Sequence, residues 1–255
     1  MASSHALKNS RVSIKSEAKD ESAKFVDLRE ADVEPPKKKH KMGVESFSNA
    51  DSLMAFSVGE GDYEKRYIVR KRDARKSPVI KAILKDRDSE GWITHHFEET
   101  TDDAVKFLIQ WLDSQKLDAI QLRNDDTDDG GGNDDIFARE DDALFDLWIL
   151  AAKLGLPELQ NVALKTVDAI IRKGNPLRWH NVPISCIKRL YSDESGTLLL
   201  RGYMVAACAE FVDFGNYQHD PFEFPHQFMM DLAAFWSKTS RAKLCKVADF
   251  YVKSN

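Results

Sequence analysis

The stretch LAAKLGLPELQN, residues 150–161, constrains the fold more tightly than any other part of the chain. An apolar helical pattern runs into Gly155, and a second begins beside Pro157. Glycine has no Cβ and reaches the left-handed conformation at no steric cost, so Gly155 is the residue expected just past a helix end. Leu156 can then fold back on Leu150. Pro157 has no N–H to lose and a φ preset for a first helical turn, and Glu158 sits where the positive helix end favours an anion. The stretch predicts an αα-hairpin with a two-residue joint. Its first arm carries Leu144, Leu147, Trp148, Ala151 and Leu154. The second carries Leu159, Val162, Ala163, Val167, Ile170 and Ile171, and Gly174, Asn175 and Pro176 end it. No residue of the joint is of a type that binds phosphate, metal or substrate, so function is to be sought in what the hairpin belongs to.

Residues 1–50 are rich in Lys, Glu, Ser and Asp, with Phe25 and Phe47 as their aromatics. Such a segment cannot bury enough apolar surface to offset its ordering entropy and reads as a disordered tail. From Ser52 the texture changes. SLMAFSVG, KRYIVRK and WITHHFE read as three short strands, the first two separated by the turn-prone EGDYE. SPVIKAILKD places Val79, Ile80, Ile83 and Leu84 at helical spacing, and Val105, Leu108, Ile109 and Leu112 recur behind the acidic start Asp102 and Asp103. NDDTDDGGGNDD, residues 124–135, holds six Asp and three consecutive glycines and reads as a solvated, flexible loop. Its length is tolerable, because each doubling of a loop adds only about 0.6 kcal/mol of closure entropy. Helical patterns follow in PISCIKRLY, TLLLRGYMVAACAEFV and QFMMDLAAFW.

A chain of 255 residues, 42% hydrophobic with 14 Phe and 5 Trp, can build a proper core. Its net charge of -5 argues against a general nucleic-acid binder, since phosphate contacts need an accumulated positive field. Cys186, Cys208 and Cys245 lie far apart with no CxxC, as expected of reduced thiols in a cytosolic or nuclear setting. The N-terminus lacks the apolar stretch of a secretion signal, and no window approaches the apolar length that spans a membrane. A soluble protein of the nucleus or cytoplasm is expected.

Strand, strand, helix, strand, helix and helical hairpin is the order of the BTB/POZ interaction domain, and the residues resemble that family as well. SPVIKAIL is similar to the family's helix after its first hairpin, FLIQWLDSQKL resembles its FxxWxYxGxL signature, and LWILAAKLGLPELQN resembles its LxxLAxKLxxxxLQN hairpin. The match covers roughly residues 50 to 173. The tail, with IKRLYSDESGTLLLRGYMVAACAEF and FPHQFMMDLAAFW, resembles the helical extension of fungal BTB proteins that carry no zinc fingers or kelch repeats. The resemblance implies an α+β fold: a small three-stranded sheet with a cluster of helices over 51–173, interrupted by a flexible acidic Gly-rich insertion at 124–142. A helical extension follows over 174–255. Three features depart from the family pattern. The run Arg70, Lys71, Arg72, Asp73, Ala74, Arg75, Lys76 replaces a His-Lys step, Asp113 stands for the signature's Tyr, and the acidic loop is inserted.

The chain shows no GxSxG, HExxH, P-loop, GxGxxG or paired-Cys zinc pattern, so no catalytic residue, metal or cofactor is expected. His95 and His96 are neighbours on one strand, so their side chains leave opposite faces and cannot chelate one ion. Asp125, Thr127, Asp129 and Gly130 occupy positions of an EF-hand-like loop, but its closing position is Ile136, which cannot supply a carboxylate. Lys37, Lys38, Lys39, His40 and Lys41 follow two prolines and form a run that a nuclear import receptor could read. Ile14, Lys15, Ser16 and Glu17 resemble a SUMO acceptor pattern with Lys15 as the acceptor. The resemblance implies a protein that self-associates, a homodimer acting as adaptor or scaffold for protein partners, and Phe25, Val26 and Leu28 offer an extra strand for that dimer. No direct nucleic-acid or membrane partner is expected. One alternative is a substrate adaptor on a cullin-type ubiquitin ligase scaffold. There the matching turn reads Asp88, Ser89, Glu90, and its charged first residue cannot fill an apolar pocket. From a different class, the acidic loop could serve a calcium-responsive protein or small enzyme.

If the hairpin is core, Leu147→Ala or Leu154→Ala costs on the order of 2 to 5 kcal/mol in chemical denaturation, whereas Asp128→Asn leaves the melting temperature nearly unchanged.

Overall fold

The computed structural model describes residues 52–86, 92–123, 134–174, 182–192, 197–212, 224–238 and 246–253. β1 (Leu53–Val58) lies at the centre of a three-stranded mixed sheet ordered β2, β1, β3. It pairs antiparallel with β2 (Lys65–Arg70), Phe56 opposite Tyr67, and parallel with β3 (Thr94–Phe97), Phe56 opposite His95. The central position explains the composition of β1. Met54, Ala55, Phe56, Ser57 and Val58 are all buried, so every residue from Met54 onward must be apolar or small. β2 carries alternating exposure instead, with Val69 buried and Ile68 exposed.

The cationic run after β2, to which the sequence assigned no element, is one helical turn, α1 (Lys71–Ala74), anchored by the fully buried Ala74. α2 (Pro78–Asp86) buries Ile80 and Leu84. α3 (Asp102–Ser114) starts at Thr101, whose Oγ1 accepts from the Ala104 N–H at 3.3 Å. It ends at Gln115, in the left-handed region at φ 59°, where both the backbone N–H and the side-chain amide donate to the Trp111 carbonyl at 2.8 Å. Asp113 is exposed on this helix and leaves its buried face intact.

α4 (Asp134–Lys153) and α5 (Pro157–Lys173) form the expected hairpin, with Leu144, Leu147, Trp148, Ala151 and Leu159 buried along its seam. Leu154, Gly155 and Leu156 join the helices, one residue more than expected. Gly155 adopts φ 65°, its N–H donates to the Ala152 carbonyl at 3.1 Å and that of Leu156 to Ala151 at 2.9 Å, the paired bonds that close a helix C-terminus. The joint is braced from outside. Ser77 Oγ accepts from the Ile80 N–H at 3.2 Å, capping α2, and donates to the Leu154 carbonyl at 2.7 Å. Pro78 lies so close that a Cβ on Gly155 would sit 2.8 Å from its Cγ.

The expected insertion at 124–142 is corrected at its C-terminal end: residues from Asp134 are helix, and Glu140 and Asp141 are buried. An acidic first turn suits the positive end of a helix, and both buried carboxylates are hydrogen-bonded across the fold, as shown below.

The extension consists of α6 (Ser185–Ser192), α7 (Leu198–Phe211), α8 (His226–Lys238) and a 3-10 turn at Val247–Phe250. The boundary at 173 is one of sequence texture and not of packing, since residues 45–255 form one compact unit with a continuous core. α6 packs on α4, and the C-terminal turn packs on α5 and α7. Asn161 of α5 binds the backbone of Val252 in both directions, its amide donating to the carbonyl at 2.9 Å and accepting the N–H at 2.7 Å. Tyr203 of α7 donates to the buried Asp168 at 3.2 Å, and Arg172 holds both oxygens of that carboxylate at 3.1 and 3.0 Å.

Gly155→Ala combines a left-handed alanine, about 1–2 kcal/mol, with overpacking against Pro78, about 1–3 kcal/mol. Ser77→Ala orphans a buried N–H and a buried carbonyl, at about 1–3 kcal/mol. Urea unfolding should rank Gly155→Ala as the more destabilised, with both variants clearly below the wild type.

Candidate functional site

Between α3 and α4 the chain from Lys116 to Arg123 contains no strand, and side chains do the work of a ladder. Gln110 accepts the Asp118 N–H at 3.0 Å. Glu140 accepts the N–H groups of Ile120 at 2.6 Å and Gln121 at 3.0 Å. The Gln121 amide donates to Asp141 at 2.9 Å, and Lys173 of α5 donates to the carbonyls of Gln121 at 3.2 Å and Arg123 at 2.8 Å. The 3-10 turn Ile120–Leu122 is thereby held by α4 and α5, and the chain entering it by α3. A charged acceptor receiving two backbone N–H groups is one of the stronger hydrogen-bond arrangements, which is why Glu140 can be buried.

Held in this way, the turn stands off α3 and leaves a groove of about 350 Å³ against α3 and α4. Phe107, Ile120 and Ile136 give it an apolar floor, and Ile120 and Ile136 each keep 45% of their surface exposed. Ion pairs frame it. Asp103 lies between Lys106 at 2.8 Å and Arg139 at 2.7 Å, and Asp118 pairs with Arg123 at 2.7 Å. Burial raises the Asp103 carboxyl, but the hydrogen bonds from Lys106 and Arg139 outweigh it and hold the group below its ordinary range. The lining contains no Ser, Cys or His. An apolar side chain can enter the floor while polar groups meet the rim.

Behind the rim, Asp102 joins the sheet to α3. Its carboxylate accepts from Tyr67, from Lys65 at 2.7 Å and from Lys106 at 2.8 Å. Burial alone pushes this carboxyl up, yet hydrogen bonds from Lys106, Lys65 and Tyr67 prevail and hold it at about 2. Tyr67 is pushed up to about 12 by burial and by its bond to Asp102.

Most residues singled out from the sequence lie outside the described residues: Lys15, Phe25, Val26, Leu28, the run Lys37 to Lys41, the turn Asp88 to Glu90, the acidic stretch from Asp125 to Gly130, and Cys245. Ile136, the residue that spoils the EF-hand-like pattern, is helical and lines the groove. His95 packs edge-on against Phe97 at 4.8 Å, while His96 shares a hydrogen bond with Ser57 at 3.0 Å. Among the described residues no cluster of His, Cys, Asp or Glu is placed to hold a metal, and no helix is long and apolar enough to cross a membrane. Cys186 and Cys208 are buried thiols. Cys186 donates to Asp142 at 3.3 Å, and burial pushes its thiol far up, away from the reactive thiolate. Glu140 and Ile120 were missed as site residues. The one signal for Glu140 was its helical spacing from Leu144, inside a stretch that otherwise reads as loop.

No family model matches the chain, and no curated protein matches it.

The Asp102 cluster sets a pH dependence. The carboxyl titrates at about 2 in the fold against an ordinary 3.8, so its contribution is fully present above the ordinary value and is lost as pH falls towards 2. Asp102→Asn should lower the melting temperature at neutral pH and flatten the acid limb of the stability curve, the two proteins converging at the acid end.

Proposed function

We propose that the chain is a protein-interaction module of the BTB/POZ type with a helical extension, acting as an oligomerising adaptor or scaffold in the nucleus or cytoplasm. The observation that carries this reading is the groove between α3, the 3-10 turn and α4, an apolar floor open to solvent inside a frame of ion pairs. Exposed apolar residues gathered in a concavity mark contact sites far more often than the same residues scattered singly. The three sequence blocks that resemble the family support it, and so does the α+β order of a small sheet followed by a helical hairpin. The framing charges are mutually neutralised, which suits a surface that receives a partner and not one that polarises a substrate.

Light scattering of the full-length protein over a concentration series should show a dimer or larger species, and a strict monomer throughout would remove self-association from the reading. Ile136→Glu changes a half-exposed groove residue and should leave the melting temperature unaltered while removing proteins that co-purify with the wild type. An identical set of co-purifying proteins would exclude the groove as their contact.

A further inference from the structure

The sheet order β2, β1, β3 leaves β2 as an edge strand among the described residues. An edge strand presents outward N–H and C=O groups on which another strand can pair. Alternation places Lys65, Tyr67 and Val69 on one face of β2 and Arg66, Ile68 and Arg70 on the other. The first face is committed to the fold, with Val69 buried and Tyr67 and Lys65 bound to Asp102. The second presents Ile68, 65% exposed, with a guanidinium two residues to either side. Arg66 is paired with Glu64 at 2.9 Å, an exposed pair of the kind that holds weakly and that a competing carboxylate can replace. The charge continues beyond the strand. Residues 65–76 hold seven Lys and Arg against Asp73 alone, in a chain whose net charge is -5.

We propose that the outer edge of β2 takes an extended acidic segment of another protein by strand addition, an apolar side chain packing on Ile68 and carboxylates two residues to either side of it pairing with Arg66 and Arg70. Backbone pairing would supply affinity and the alternating side chains specificity. Charge complementarity selects this occupant over the two obvious competitors. A second copy pairing antiparallel through its own β2, centred on Tyr67 and Ile68, would set Lys65 against Arg70, and like charges directly opposite repel. A nucleic acid would use the cations but has no use for an exposed isoleucine between them. The proposal rests on the reading of the chain as an interaction protein but uses neither the groove nor any residue lining it, so the two can fail separately.

The test is fluorescence anisotropy on the full-length protein with a labelled peptide containing Glu-Thr-Val-Thr-Glu, a Lys-Thr-Val-Thr-Lys control and a single-stranded oligothymidylate. The acidic peptide should bind at least about tenfold more tightly than the basic control, since two favourable cross-strand pairs become two repulsive ones. Ile68→Glu, at an exposed position, should keep the wild-type melting temperature and lose the binding, and Arg66→Glu should weaken it. Ile136→Glu should leave it untouched. The proposal is overturned if the acidic peptide fails to bind, or if Ile68→Glu binds it as well as the wild type. It is equally overturned if Ile136→Glu abolishes binding, which would place the peptide in the groove, or if the oligothymidylate binds more tightly than the peptide and is indifferent to Ile68.

Discussion

One buried hydroxyl couples α2 to the joint of the helical hairpin. Ser77 is 1% exposed, and its Oγ serves two helix ends, accepting from the first turn of α2 and donating to the Leu154 carbonyl just past the end of α4. Helix ends leave several backbone groups without partners, and burying such a group unpaired costs about 1–3 kcal/mol. Sharing one oxygen between two ends fixes their separation and direction together. Gly155 and Pro78 complete the contact, because the absence of a Cβ lets α2 approach the hairpin joint. The contact ties α2, which follows β2 and α1, to the hairpin joint, beside the direct packing of α3 on α4. A domain of this kind is stable by only about 5–15 kcal/mol, so a single seryl oxygen holds a sizeable share.

Buried acids supply much of the remaining framework. In a chain whose acidic stretch reads as solvated, Glu140 and Asp141 instead organise the turn that shapes the groove. Asp168 ties α5 to α7 through Tyr203, and Arg172, held by Asp168 within α5, donates to Glu210 of α7 at 3.3 Å. Asp146, pushed up by burial and opposed by the charge of Arg189, links α4 to α6. Each carboxylate has its donors, the condition under which burial of charge is tolerated. They are structural joints, and the raised Asp146 carboxyl follows from that duty.

Much of the fold was legible because it is periodic. The alternation in KRYIVRK, the spacing of Val105, Leu108 and Leu112, and the punctuation by Gly155 and Pro157 all act over a few residues and leave a mark in the chain. What was not legible acts over long separations. Glu140 meets Ile120 and Gln121 only once α4 lies beside the turn, and no local pattern separates its carboxylate from those of a solvated loop. The helical turn α1 was hidden by its charge, since one buried alanine among cations gives no periodicity to read. The groove floor was dispersed in sequence over Phe107, Ile120 and Ile136, each unremarkable alone.

The double hydrogen bond between Asn161 and Val252 has a consequence for how the protein ages. The asparagine amide acts as a surrogate peptide unit, giving one hydrogen and taking one, and only an amide has both in that geometry. Spontaneous hydrolysis of that amide would put an acceptor-only carboxylate against the Val252 carbonyl oxygen. Attraction would become repulsion at the point where the C-terminal turn meets α5. Phe250, which packs edge-on against Tyr203 at 5.7 Å and closes over Gly202, would lose its tether. A single chemical change of about one mass unit, invisible to most assays of concentration, would then loosen the seam between α5, α7 and the chain's last turn.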